Sequence, residues 1–229
     1  MNKPIKVLIT SGGTKIKIDM VRHIGNMSRG TFGSKIADAF CDTGREIQVT
    51  FLMAKGSRSP EHLEPIPHYY ETFDDYEFQL FGLIKHEKPD IIILAAAVSD
   101  YGVENFVDGK IRSSEELVIR LKPLPKLISF VRNVAPKAVI CGFKLLVNST
   151  EAELDDACRK SLEQNRLDLV VGNDLRDIKA SNHILRIFQT PNNCKSVSGY
   201  HYEAKDYNLA EAVRNHCLDM YNLKKRKKK

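Results

Sequence analysis

Apolar residues fall along this chain in short unbroken runs and in helical stripes, and their order predicts most of the elements. The densest run is Ile91-Ile92-Ile93-Leu94, set between Pro89-Asp90 and Ala95-Ala96-Ala97. Branched aliphatics at every position describe a strand buried on both faces. Lys6 to Thr10, Ala138 to Cys141 and Leu167 to Val171 predict further strands, Glu46 to Met53 alternates enough to be another, and His68 to Glu71 predicts a short one. The stripe Phe32, Ile36, Ala39, Phe40 predicts a helix over 31–42, stopped by Gly44. Tyr76, Leu80, Leu83 and Ile84 mark a helix ending near Lys88-Pro89, and Pro125 to Asn133 a shorter one. Thr150 caps a helix that turns Leu154, Ala157, Cys158 and either Ser161 or Leu162 inward. Leu209, Val213, Cys217 and Met220 make a closing helix.

Strands alternating with helices predict an α/β fold, a parallel sheet with helices on both faces. Two stretches fit that plan less well. Leu117 to Lys122 alternates like a strand after a long polar loop, and His183 to Gln189 reads as a strand paired with Ser196 to Glu203. They are expected to form a small extra β lobe or a dimer surface. No linker splits residues 1–223, which are expected to be a single domain.

Composition changes this picture in two places. The net charge of +6 would suggest a nucleic-acid binder, but the ending Lys224-Lys225-Arg226-Lys227-Lys228-Lys229 accounts for all of it. The expectation is a neutral body with a solvated, disordered basic tail over 224–229, and no nucleic-acid partner; RNA or acidic-surface contact by the tail is the alternative. The five cysteines are odd in number and lack C-x-x-C spacing, which fits a reducing cytoplasm. Met1 to Pro4 runs into the first strand without a leader, and no apolar run approaches the roughly 20 residues that span a bilayer.

Candidate chemistry gathers where strands end. Ser11-Gly12-Gly13-Thr14, Ala97 to Asp100, Gly142-Phe143-Lys144 and Gly172-Asn173-Asp174 each follow an apolar run. In open parallel sheets, ligands bind outside the carboxyl ends of the strands, so these four segments ring one edge of the sheet around a nucleotide-like ligand. Alanines there let a flat ligand lie against the backbone, with neighbouring N–H and C=O groups free to bond its edge. The dinucleotide fingerprint is absent, because about seventeen residues separate Gly13 from the next helix. A G-x-x-x-x-G-K-[ST] loop is absent as well.

Taken together with Asp19-x-Val21-Arg22-x-Ile24-x-Asn26-x-Ser28-x-Gly30, Lys110-Ile111 and Asp168 to Asn173, these segments resemble the phosphopantothenoylcysteine synthetase family. The resemblance runs from about residue 6 to 175, in a free-standing form with no flavin decarboxylase domain ahead of it. Arg29 stands where the family usually carries a small serine. The resemblance implies a Rossmann-like fold, a homodimer, and a ligation in coenzyme A biosynthesis. The carboxylate of 4'-phosphopantothenate attacks the α-phosphorus of CTP, and pyrophosphate leaves. Cysteine's amine then attacks the acyl-cytidylate, and CMP leaves. Both nucleophiles belong to substrates, so the protein positions and stabilises charge. Mg²⁺ is expected to arrive on the triphosphate without a protein cage, and residues do not distinguish CTP from ATP.

The same resemblance implies roles. Asn26 would hold the activated acyl group, and Lys110 would sit over the triphosphate; their bland alternatives are a turn asparagine and an ordinary loop lysine. Gly12 and Gly13 would leave room for nucleotide phosphates, and Ala96 and Ala97 would present backbone to the base. Asp100 would take ribose or help order the phosphates. Phe143 either packs on the base or its sugar or is core. Lys160 either reaches a distal phosphate or is a solvated helix lysine. Arg22 either binds substrate phosphate or braces its loop, beside Ser28 in the substrate-binding set. Two other readings stand. An NAD(P)-dependent reductase would want Tyr-x-x-x-Lys at the sheet edge, whereas that spacing occurs at Tyr221 and Lys225, against the basic end. A non-catalytic nucleotide-binding module would bind without releasing pyrophosphate.

Overall fold

The computed structural model describes residues 3–43, 46–62, 67–113, 116–179, 183–190, 197–204 and 208–226. Gly44 and residues 227–229 lie outside them. The chain opens with β1 (Ile5–Ser11), a hairpin of β2 (Lys15–Lys17) and β3 (His23–Gly25), α1 (Thr31–Cys41) and β4 (Ile47–Ala54). β5 (His68–Tyr70), α2 (Phe73–Glu87) and β6 (Ile91–Leu94) follow. Next come β7 (Tyr101–Val103), β8 (Leu121–Pro123), α3 (Ile128–Val134), β9 (Val139–Leu146) and α4 (Glu151–Gln164). The chain closes with β10 (Leu169–Asp174), α5 (Leu175–Lys179), β11 (Ile184–Gln189), β12 (Ser198–Glu203) and α6 (Leu209–Arg226).

Among the described residues, eight strands form one sheet in the order β12-β11-β10-β9-β6-β1-β4-β5. The run from β5 to β10 is parallel. Numbered in chain order, those parallel strands read 3-2-1-4-5-6, the doubly wound arrangement whose direction of winding reverses between β1 and β6. Period-two alternation explains why the central strand is apolar throughout. Ile91 and Ile93 pack with α1 and α6, while Ile92 and Leu94 pack with α2, α3 and α4. Two helices start on reciprocal caps. Thr72 Oγ1 accepts from Asp75 N at 3.1 Å and Thr150 Oγ1 from Glu153 N at 3.3 Å, each returned by the acidic side chain.

The structure corrects four expectations. Ile184–Gln189 and Ser198–Glu203 extend the main sheet as antiparallel β11 and β12, so these strands belong to no separate lobe, and residues 191–196 between them lie outside the described residues. The smaller sheets are the β2–β3 hairpin and the β7–β8 pair, and residues 116–120 precede β8 outside any strand. Gly142-Phe143-Lys144 and Gly172-Asn173-Asp174 lie within β9 and β10, where Gly172 pairs with Lys144 and Asn173 with Leu145. Finally, Lys224, Lys225 and Arg226 are the last turn of α6 rather than the start of a tail. Lys224 reaches the amino-terminal end of the sheet, where its ammonium lies 2.7 Å from Asp168 and 2.9 Å from the Ala138 carbonyl.

Gly12 shows how tightly the rim of β1 is built. Its φ is +91°, and a Cβ there would sit 2.2 Å from Ser57 Oγ and 2.6 Å from Ala54 Cβ. Gly12→Ala is expected to cost about 2 kcal/mol or more, through left-handed strain and overpacking together. A urea unfolding midpoint unchanged from wild type would contradict this.

Candidate functional site

β6 stops at Leu94, level with Gly142, while β9 runs on to Leu146. Ala95-Ala96-Ala97 are therefore unpaired on their β9 side, next to the winding reversal where such sheets take ligands. On the β1 side, the chain leaves the strand through Gly12 and Gly13 and pairs with the alanines. Ala97 N–H donates to the Gly12 carbonyl at 2.7 Å, Thr14 N–H donates to the Ala97 carbonyl at 3.1 Å, and Ala96 N–H donates to Thr10 Oγ1 at 3.2 Å. These bonds narrow the expectation for Ala96 and Ala97. Both N–H groups and the Ala97 carbonyl already bond the protein, and the methyl side chains leave a smooth floor.

Asn26 stands on that floor. Its Nδ2 donates to the Ala97 carbonyl at 2.7 Å. An acceptor at that distance requires the NH₂ to face it, so the rest of the amide turns to the cleft. Gly13 is what lets it in: a Cβ there would lie 3.0 Å from the Asn26 carbonyl oxygen and 3.1 Å from its Cβ. Both rim glycines thus make room for the chain itself, Gly13 for Asn26 and Gly12 for Ala54 and Ser57. Together Gly13, Asn26 and Ser28 line a cleft of about 240 Å³ with Lys15, His23, Arg29 and the Lys55-Gly56-Ser57 turn. Nothing in the sequence pattern singled out that turn beyond its position at the end of a strand.

The β2–β3 hairpin rises from this floor, and its tip is locked by Asp19. The buried Asp19 carboxylate accepts from Val21 N at 2.7 Å, Arg22 N at 2.6 Å, Arg22 Nη1 at 2.6 Å and Ile111 N at 3.1 Å. Burial by itself would raise its pKa, but these donors outweigh it and hold the group at about 2. Arg22 also donates to the Ile111 carbonyl at 3.1 Å, so the structure shows it bracing the loop. Lys110 is exposed on this arm, between Ile111 and Gly109, whose carbonyl accepts from Met20 N at 2.9 Å. It stands near the tip of the hairpin and Asn26 at the base, separated by roughly 13 Å of extended chain.

A folded-state pKa of about 2 means that ionised Asp19 stabilises the structure fully above its ordinary value near 4. That contribution disappears as pH falls through 2. Asp174, held at about 2 chiefly by the Ser149 N–H, shares the window. Asp19→Asn is therefore expected to flatten the fall of the melting temperature between about pH 4 and pH 2 without abolishing it. Parallel wild-type and variant curves there would contradict the lock.

On the β9 side, Phe143 is half-buried with its ring edge-on to Phe32 at 6.1 Å, and Phe32 meets His183 edge-on at 5.2 Å. His183 Nε2 lies 3.3 Å from Asn173 Nδ2. Burial depresses the imidazole pKa, and Lys35 adds to that against the opposing pull of Asp177. Asn173 is one of the strand-end residues the sequence pointed to, whereas His183 joins it only through the pairing of β11 with β10, which no local pattern reports. Asp100 is exposed and ion-pairs with Lys126. Of the two readings of Lys160, the structure shows the helix-surface lysine. It sits ten residues beyond the cap Thr150, about 15 Å down α4 from the rim, and its ammonium is 2.7 Å from Asp156.

A sequence model of the DNA/pantothenate metabolism flavoprotein C-terminal domain matches residues 3–216. The chain belongs to that family. The chain is 39% identical over 171 residues to the coenzyme A biosynthesis bifunctional protein CoaBC of Thermococcus kodakarensis, matching 75% of this chain and 41% of that protein. It is 29% identical to the human phosphopantothenate--cysteine ligase, over 74% of this chain and 72% of that one. It superposes on the crystal structure of the DNA/pantothenate metabolism flavoprotein from Streptococcus pneumoniae with a TM-score of 0.75 and 30% identity, covering 96% and 99% of the two chains. The domain spans about two fifths of the length of the CoaBC proteins it matches.

Proposed function

We propose that this chain ligates 4'-phosphopantothenate to L-cysteine through an acyl-nucleotide intermediate, releasing pyrophosphate and a nucleoside monophosphate, in coenzyme A biosynthesis. The observation that carries the reading is the amide of Asn26, anchored on Ala97 beside the winding reversal and lining a cationic cleft between the hairpin and the end of β4. Naming of the relatives supports it: the human ligase and the CoaBC proteins align over three quarters of this chain. In this reading the free part of the Asn26 amide bonds the acyl group as charge develops on it, in the manner of an oxyanion donor. Lys110 brings an ammonium to the triphosphate from the hairpin tip. Phe143 forms a shelf for the nucleoside, and Asp100 takes a ribose hydroxyl or orders phosphates, exchanging Lys126. CTP is the proposed nucleotide and ATP its competitor, with Mg²⁺ travelling on the triphosphate as part of the substrate. No acid–base dyad is required, since the substrate carboxylate and amine are the nucleophiles.

The proposed working form is a homodimer in the cytoplasm. Met20, Val21 and Met27 on the hairpin and Phe106, Val118 and Leu121 on the following arm are all exposed, a concentration of apolar surface that a second copy would cover. Sedimentation at twice the 26.0 kDa chain mass would support the dimer, and a monomer at all concentrations would exclude it. The activity is tested by a screen of the common nucleoside triphosphates with phosphopantothenate and cysteine. Equal amounts of pyrophosphate and nucleoside monophosphate, dependent on both substrates, are expected with CTP or ATP. No turnover with any nucleotide would overturn the reading.

A further inference from the structure

The cleft beside Asn26 carries cationic side chains to which the roles above assign nothing. Its walls carry Lys15, His23, Arg29 and Lys55, together with the small polar turn Gly56-Ser57, and among the described residues no carboxylate lines it. Glu71 ion-pairs with Lys15 at 2.9 Å and with Lys55 at 3.9 Å, so one carboxylate answers two of these cations and the cleft keeps an excess of positive charge. Among the described residues Arg29 makes no ion pair, although its carbonyl accepts from Arg58 N at 2.9 Å, which fixes its backbone against the 54–58 turn. Lys55 is similarly placed, its N–H donating to the Tyr70 carbonyl at 2.9 Å. Two cations on anchored backbones, on facing segments of an open cleft with amide and hydroxyl donors between them, suit a compact polyanion.

We propose that Arg29 and Lys55 bind the pyrophosphate leaving group, making this cleft the exit pocket of the first half-reaction. The inference rests on the ligation reading and deepens it. A phosphoryl group in the cleft could come from the nucleotide or from the phosphomonoester of the acid. Proximity to Asn26 favours the nucleotide. When the carboxylate oxygen bonds to the α-phosphorus, the bond from that phosphorus to the bridging oxygen breaks, and its electron pair leaves with pyrophosphate. The leaving group therefore starts next to the carboxyl that Asn26 holds. The phosphomonoester of an extended phosphopantothenate is roughly 11 Å from its own carboxyl at ordinary bond lengths. Arg29 is three residues from Asn26 and lines the same cleft, which favours the nucleotide's phosphates, and a separate titration with phosphopantothenate distinguishes the acid's own phosphate.

The test is calorimetric titration of the full chain with pyrophosphate and, separately, with phosphopantothenate, for wild type, Arg29→Ser, Lys55→Ser and the charge-preserving Arg29→Lys. The expected result is pyrophosphate binding weakened about tenfold by each serine variant and largely restored by lysine, with phosphopantothenate binding unchanged. Pyrophosphate inhibition of ligation should weaken in step. Unchanged pyrophosphate affinity in both serine variants would overturn the proposal. So would a wild type that does not bind pyrophosphate, or a selective loss of phosphopantothenate binding, which would assign the cleft to the acid's own phosphate. Pyrophosphate binding that depends on Arg29 and Lys55, in a chain that ligates with no nucleotide, would overturn the ligation reading while leaving the anion site in place.

Discussion

Asn26→Asp is expected to reduce ligation by about 100-fold or more, the scale on which loss of one preorganised donor acts, while the protein still folds. The substitution is nearly isosteric, so packing against Gly13 survives. What changes is the partner of the Ala97 carbonyl. That oxygen accepts from Asn26 Nδ2 at 2.7 Å, and a carboxylate would place a second acceptor there. The side chain would rotate away or draw a proton, and in either state the cleft loses a fixed N–H donor. Where ionised, it would also place negative charge beside a reacting phosphate. The site is exposed, so the lost hydrogen bond costs only about 1 kcal/mol of stability. Activity and melting temperature measured on the same preparation separate the two effects. Wild-type turnover would remove Asn26 from the mechanism, and global unfolding would show that its bond to Ala97 is chiefly structural.

Lys110→Gln is expected to fold like wild type and to lose about 100-fold or more in ligation. The argument is the contrast between the residue and its neighbours. Gly109 and Ile111 are tied to the hairpin tip, and through it to the buried Asp19, whereas the Lys110 side chain is exposed. The backbone is held in place, and among the described residues the side chain makes no hydrogen bond or ion pair, so the substitution should leave the fold intact and report on the proposed phosphate contact alone. Replacing the ammonium removes a compact cation from the triphosphate without opening a cavity. Lys110→Arg should restore part of the rate, because charge returns with altered geometry. A fully active Lys110→Gln would leave the arm with no chemical role.

Much of the fold was legible because it rests on periodicity. Ile91 to Leu94 could only be a two-face-buried strand, and the cap at Thr150 and the stripes of α1, α2, α4 and α6 are local signals that tertiary packing did not override. What escaped was set by pairing partners. β2 and β3 are three-residue strands with largely exposed side chains, so no alternation marks them. Whether β11 and β12 made a lobe or the sheet edge depended on bonding to β10. Gly142-Phe143-Lys144 reads as a turn in isolation and is strand because β10 continues beside it. The candidate site divides in the same way. The strand-end segments do converge on one rim, and Gly13, Asn26 and Ser28 share one cleft. Lys160 kept two readings because depth along a helix is invisible until the direction of the preceding strand is known. The alanines report nothing about their backbone partners because a methyl side chain carries no such signal. Arg22 had two open readings, and the structure shows its Nη1 bracing the loop against Asp19 and Ile111.

The central claim is that a carboxylate attacks phosphorus at this rim, and oxygen transfer tests it most directly. Phosphopantothenate labelled with ¹⁸O in its carboxyl group is turned over with cysteine and whichever triphosphate supports reaction, and the products are weighed by mass spectrometry. The account predicts one labelled oxygen in the nucleoside monophosphate for each amide bond formed. Product formed with no label in the monophosphate would contradict it.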